Sequence, residues 1–223
     1  MTDENLNLSC NNPLDHQKPD IIDKIAVFGF ADAPESSELY KHAYDTSKIL
    51  AQAGYSVVNG GGPGVMKAAT EGAHAGGGKV IGVTFYPKDM TRYEGKDPKN
   101  QVDEEVVTNN YVERTLKLLE KAQMYIIFNG GTGTISEFGM AWGLARLYFG
   151  HHKPMILYGD FWHAITEAFK NNMHLREGDL TVFKIATSPH EVLKCICEFE
   201  KEIREGKHVH LRTDSGVEET FSL

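Results

Sequence analysis

Met124-Tyr125-Ile126-Ile127-Phe128-Asn129-Gly130-Gly131-Thr132-Gly133-Thr134-Ile135-Ser136-Glu137 is a short apolar run that breaks into glycines and reopens as a helical pattern. A buried strand feeding straight into a helix reads this way. Upstream the same order recurs in Tyr55-Ser56-Val57-Val58-Asn59-Gly60-Gly61-Gly62-Pro63-Gly64-Val65-Met66. Two strand–glycine–helix units in one chain predict parallel β-α-β construction. In such sheets ligands bind at the carboxyl ends of the strands. Glycine there lets backbone approach a ligand, and helix N-termini favour anions.

Working outward, β-branched runs alternate with helical patterns. Strands are expected at Lys24–Phe30, Tyr55–Asn59, Lys79–Phe85, Glu105–Thr108, Met124–Phe128, Pro154–Tyr158 and Thr181–Ile185. Helices are expected at Ser36–Ala53, Val65–Ala75, Val112–Lys121, Thr134–Phe149, Phe161–Asn171 and His190–Ile203. The expected fold is α/β, a Rossmann-like, doubly wound and mainly parallel sheet with helices on both faces. The expected organisation is a tail over 1–20, one domain over 21–207 and a second tail over 208–223. Residues 86–104, with Pro87, Gly95 and Pro98, read as a long functional loop.

Composition narrows the function. The chain has 223 residues, 41% of them hydrophobic and 24% charged, enough for one well-packed domain. Its formal charge of −8 argues against nucleic acid or an anionic membrane as main partner. No apolar run approaches a bilayer span, and Met1 to Asp20 has no apolar signal core, so a cytoplasmic protein is expected. Three cysteines without a C-x-x-C pair give no disulfide scaffold, and ten scattered histidines give no metal motif. Neither glycine loop carries the G-x-x-x-x-G-K-[ST] of a P-loop. Neither completes G-x-G-x-x-G, since the second loop has Ser136 at the last position. Both loops, Gly60, Gly61, Gly62 and Gly64 and Gly130, Gly131, Thr132, Gly133 and Thr134, are candidate phosphate sites, with a plain strand-to-helix turn as the rival reading.

The second loop resembles the P-G-G-x-G-T-x-x-E signature of the Lonely Guy (LOG) family. These are the cytokinin riboside 5′-monophosphate phosphoribohydrolases, many of which carried an earlier lysine decarboxylase label. Gly60-Gly61-Gly62-Pro63-Gly64-Val65-Met66 resembles the family's G-G-G-x-x-G-x-M loop, and Arg114 falls where the family's Arg-Lys helix places its arginine. The resemblance covers roughly residues 24–200. It implies hydrolysis of the N-glycosidic bond of a purine or cytokinin riboside 5′-monophosphate, giving free base and ribose 5-phosphate. It implies Arg114 and Glu137 as the catalytic pair and no metal or organic cofactor. A carboxylate suits the oxocarbenium-like charge of glycosidic cleavage, and an arginine stays charged beside it.

Each assignment has a plainer rival. Thr134-x-x-Glu137 is also a capping box. Arg114 could be a solvated helix charge, although apolar neighbours surround it: Val112, Leu116 and Leu119 on one face, Tyr111 and Leu118 on another. The family's proline is Asn129 here, the first glutamate of its pair is Ser136, and the lysine after the arginine is Thr115. Strand one ends Gly29-Phe30-Ala31-Asp32 where many members have Gly-Ser-Ser. The same fold serves molybdenum-cofactor carriers, which bind without hydrolysing, so a non-catalytic nucleotide or molybdenum-cofactor carrier is the alternative. From Phe138 to Phe149 the only charge is Arg146. A helix apolar on nearly every side implies a second subunit as cover, so a homodimer is expected, with Trp142 in the interface.

Overall fold

The computed structural model describes residues 21–87, 96–147 and 152–205. The tails expected over 1–20 and 208–223 lie outside these, as do 88–95 of the long loop and the end of the helix expected to reach Phe149. Seven strands alternate with six helices: β1 (Lys24–Phe28), α1 (Glu38–Gln52), β2 (Ser56–Asn59), α2 (Val65–Ala75), β3 (Val80–Phe85), β4 (Glu104–Thr108), α3 (Tyr111–Lys121), β5 (Met124–Ile127), α4 (Thr132–Leu147), β6 (Met155–Tyr158), α5 (Phe161–Asn172), β7 (Phe183–Ala186) and α6 (Pro189–Arg204). Every expected element is present, with ends in the described residues shifted by at most two residues.

All strand pairs are parallel, in the order β4-β3-β2-β1-β5-β6-β7. The order reverses at β1. Ala26 pairs with Val58 of β2 on one side, and Phe28 pairs with Ile127 of β5 on the other. Both glycine loops therefore leave strands that flank β1. Continuous apolar runs make this possible, because a central parallel strand is covered on both faces. Side-chain alternation then divides the core in two. Ile25 and Val27 pack with α1, α2 and α6, while Ala26 and Phe28 pack with α3, α4 and α5.

Local chemistry sets the ends that matter. Asn110 caps α3 by accepting from Glu113 N at 2.9 Å, and Glu113 accepts in return from Asn109 N at 3.0 Å. The other end of α3 is tied down by Tyr125 Oη and Lys153 Nζ. Both donate to Leu119 O, at 2.9 and 2.7 Å, and Lys153 also reaches Glu120 O at 3.0 Å. Gly64, at φ 61°, makes the turn into α2. There its α-carbon presses on the carbonyl of Ala31, where a Cβ would sit 2.3 Å away.

One expectation about α3 is corrected. Val112 is 57% exposed, while Arg114, Thr115, Leu118 and Leu119 form the buried face of α3. Arg114 is covered, as its apolar neighbours led one to expect, and backbone carbonyls there satisfy its guanidinium. Trp142 is half-buried: its ring stacks on Phe138 and Phe169, and Nε1 donates to Asp179 O at 2.6 Å.

Candidate functional site

Arg114 is carried by the first turn of α3 to the carboxyl ends of β2 and β3. It is 6% exposed. Its Nε donates to Val83 O at 3.0 Å, and Nη2 donates to Gly60 O at 3.2 Å with Met66 Sδ 3.6 Å away. Gly60 is what lets the guanidinium in. A Cβ at that position would stand 1.5 Å from Nη2. The remaining terminal nitrogen, Nη1, faces Glu137 Oε1 at 3.8 Å. That is an ion pair at the limit of contact and too long for a hydrogen bond.

Glu137 sits in the second turn of α4, 7% exposed. The helix begins at Thr132, two residues ahead of the expected start. Thr134 therefore lies inside the first turn, and Thr134-x-x-Glu137 is not a capping box. Among the described residues no hydrogen bond reaches the Glu137 carboxylate. Burial pushes its carboxyl up from 4.5 to about 7, against the lowering pull of Arg114. An ionisable group buried with one distant partner is costly to keep for structure alone, and such groups concentrate at functional sites.

The two glycine loops differ. Residues 59–62 are buried. Gly61 N donates to Asn59 Oδ1 at 2.8 Å, Gly61 O accepts from Asp97 N at 2.9 Å, and Gly62 O accepts from Asn100 Nδ2 at 2.7 Å. Gly64 packs on β1's outgoing chain. This first loop is a braced wall that holds Arg114. In the second loop Asn129, Gly131, Thr132 and Gly133 are exposed, Gly130 is half-buried and Thr134 is buried. The first N–H groups of a helix have no intrahelical acceptor. Here they open at the sheet's carboxyl edge beside Glu137.

The sequence reading brought Arg114 and Glu137 together correctly as neighbours but missed their supports. Val83 O and Gly60 O, which hold Arg114, are backbone atoms that no motif announces. It also missed Tyr111, whose hydroxyl lies 3.0 Å from Ser136 Oγ and ties α3 to the first turn of α4. The exposed ring of Phe30 was visible only as a departure from Gly-Ser-Ser. Among the described residues no helix is long and apolar enough to cross a membrane.

Comparisons with known proteins place the chain among relatives. Proteins of Mycobacterium tuberculosis and Mycobacterium marinum, each named cytokinin riboside 5′-monophosphate phosphoribohydrolase, are 32% and 34% identical over 62% of this chain and 71% of their own. The molybdenum cofactor binding protein of Rippkaea orientalis superposes with a TM-score of 0.56. It is 27% identical, covering 84% of this chain and 98% of its own. The model of the SLOG cluster4 family matches residues 23–190, three quarters of the chain. The chain therefore belongs to the SLOG cluster4 family, consistent with the Lonely Guy resemblance of its two glycine loops and Arg114.

Proposed function

We propose that this protein is a nucleoside 5′-monophosphate phosphoribohydrolase that hydrolyses the N-glycosidic bond of a purine or cytokinin riboside 5′-monophosphate. The observation that carries the reading is the buried Arg114–Glu137 pair, 3.8 Å apart, beside an open glycine loop at a helix N-terminus. Phosphate is assigned to Gly130, Gly131, Thr132, Gly133 and Thr134, where first-turn N–H groups and the helix dipole favour an anion. Gly60, Gly61, Gly62 and Gly64 form the opposite wall. Glu137, as carboxylate, stabilises positive charge developing on the ribose and orients the attacking water. Arg114 partly offsets the burial that keeps Glu137 protonated, and stays charged throughout. Free base should appear when the protein meets a panel of nucleoside monophosphates. A folded protein that releases none overturns the proposal.

The carrier reading has its own support in the likeness to the Rippkaea orientalis protein. Ser136 and Thr115, where the family has ionisable residues, also favour it. It predicts that bound ligand is recovered chemically intact after long incubation. Ribose 5-phosphate in the mixture counts against it.

A homodimer belongs to the same proposal. Ile135, Gly139, Gly143 and Leu147 recur at four-residue spacing on α4, and all are exposed. Leu147 is 78% exposed. An apolar line of this kind, with glycines that keep it low, suits close approach of a second copy. Leu147→Glu should leave the monomer's fold intact, as exposed substitutions do, and should shift sedimentation from dimer to monomer. A wild-type chain that sediments as a monomer at micromolar concentration sinks the assembly.

A further inference from the structure

Phe30 stands at the point where the strand order reverses, and its backbone is gripped by both glycine loops. Its N–H donates to Asn129 O at 3.0 Å, and its carbonyl accepts from Val65 N at 3.0 Å. A Cβ on Gly64 would lie 2.4 Å from that carbonyl. The backbone is fixed on both sides, yet the side chain is 40% exposed. In the alternation of β1, Ala26 and Phe28 point to the α3–α4 face. Phe30 is the next residue in that phase, two past the strand's end, and lies between the loops that hold Arg114 and lead into the helix of Glu137.

Other aromatics near the carboxyl edge are already engaged. Tyr111 bonds Ser136 and packs edge-on to Phe85, with ring centres 6.4 Å apart. Tyr86 donates to Glu105 Oε1 at 3.0 Å. Among the described residues no ring stacks on Phe30. An aromatic face held rigidly and left open to water loses apolar contact unless something planar covers it. Crevices at a strand-order reversal are where open α/β sheets receive ligands.

We infer that Phe30 is the stacking platform for the planar heteroaromatic ring of the ligand, the purine of a nucleoside 5′-monophosphate whose phosphate lies on the second glycine loop. This rests on the nucleotide reading above and assigns the base to a residue that the two glycine motifs do not include. Base–aromatic stacking tolerates different rings, since every base has a π-face. Phe30 therefore supplies affinity for a purine in general, and groups around the ring edge choose among purines.

Calorimetry in a Glu137→Gln background, where ligand is not consumed, separates the possibilities. The titrants are adenosine 5′-monophosphate and ribose 5-phosphate, which has the phosphate but no ring. Phe30→Ala and Phe30→Leu should each weaken binding of the nucleotide by on the order of tenfold to a hundredfold. Both should leave ribose 5-phosphate unchanged, and Phe30→Trp should restore the nucleotide. Leucine keeps apolar bulk without a π-face, so its loss marks stacking. Equal weakening of both ligands shows that Phe30 only braces the loops and overturns the inference. So does unchanged binding of both, or full affinity in Phe30→Leu. If the background protein binds neither ligand, the nucleotide reading itself fails and this inference falls with it.

Discussion

Glu137→Gln should lose turnover by about a hundredfold or more while the protein becomes more stable at alkaline pH. Glutamine keeps the size of the side chain but cannot carry the negative charge that an oxocarbenium-like transition state needs. Because α4 begins at Thr132, Glu137 caps nothing, so the substitution removes no helix cap. The pH dependence follows from burial. The folded protein holds the Glu137 proton up to about pH 7, where an ordinary glutamate loses it near 4.5. Below 4.5 both folded and unfolded chains are protonated, and the group adds no penalty. Between the two values only the folded chain keeps the proton, so stability falls as pH rises. Above about 7 the folded chain carries a buried carboxylate, and the whole penalty remains.

Glutamine removes that penalty, a gain of up to about 3 kcal/mol at pH 8 that vanishes at pH 4. Wild-type kcat/KM should rise with pH through about 7 as the carboxylate forms, then level off. Denaturant unfolding of both proteins across pH 4–8, beside base-release assays, checks both halves. A glutamine variant that turns over like wild type removes Glu137 from the chemistry. A stability difference that is flat with pH shows that the group is not buried in the ionised form.

Gly60→Ala should cost turnover about as heavily, on the order of a hundredfold, without altering any charged group. The new methyl would stand 1.5 Å from Arg114 Nη2 and 2.6 Å from Cζ, so the guanidinium has to leave. Leaving breaks its bonds to Gly60 O and Val83 O and takes the cation away from Glu137. The carboxyl then keeps its burial and loses its one lowering partner, so its pKa climbs further. The pH at which kcat/KM rises should move upward in this variant, a change that simple destabilisation does not produce. Overpacking should cost about 1–3 kcal/mol in stability. A Gly60→Ala protein with wild-type rate and an unshifted pH profile shows that Arg114 is not held as described.

Much of this was legible in the chain. The two strand–glycine–helix units gave the parallel architecture because short β-branched runs with flanking glycines and 3.6-residue helical patterns are local signals. Element ends moved by a few residues where caps or glycines decided them. The start of α4 is the case with consequences. From sequence, Thr134 and Glu137 have the spacing of a cap, and only the observed helix start rules it out. Trp142 is similar. Its apolar helix read as an interface, and Phe138, Phe169 and the carbonyl of Asp179 supply part of its cover from within the chain. Residues distant in sequence supply that cover, so periodicity along one helix cannot reveal it.

By itself the sequence determined the fold class, the order of elements, the place of both glycine loops at strand ends, and Arg114 and Glu137 as the residues to examine. The fold, the element order and the loop positions follow from patterns within a few residues of each position, while Arg114 and Glu137 follow from the resemblance to the Lonely Guy family. The tertiary structure alone decided what those residues do to one another. It turned the first glycine loop into a wall, since Gly60 has no side chain to keep Arg114 out. It left the second loop open, buried Glu137 with one cation at the edge of contact, and set Phe30 bare between the loops. Burial and distance arise from chain segments meeting across the sheet, and a carboxyl's proton affinity depends on that meeting rather than on its neighbours in sequence.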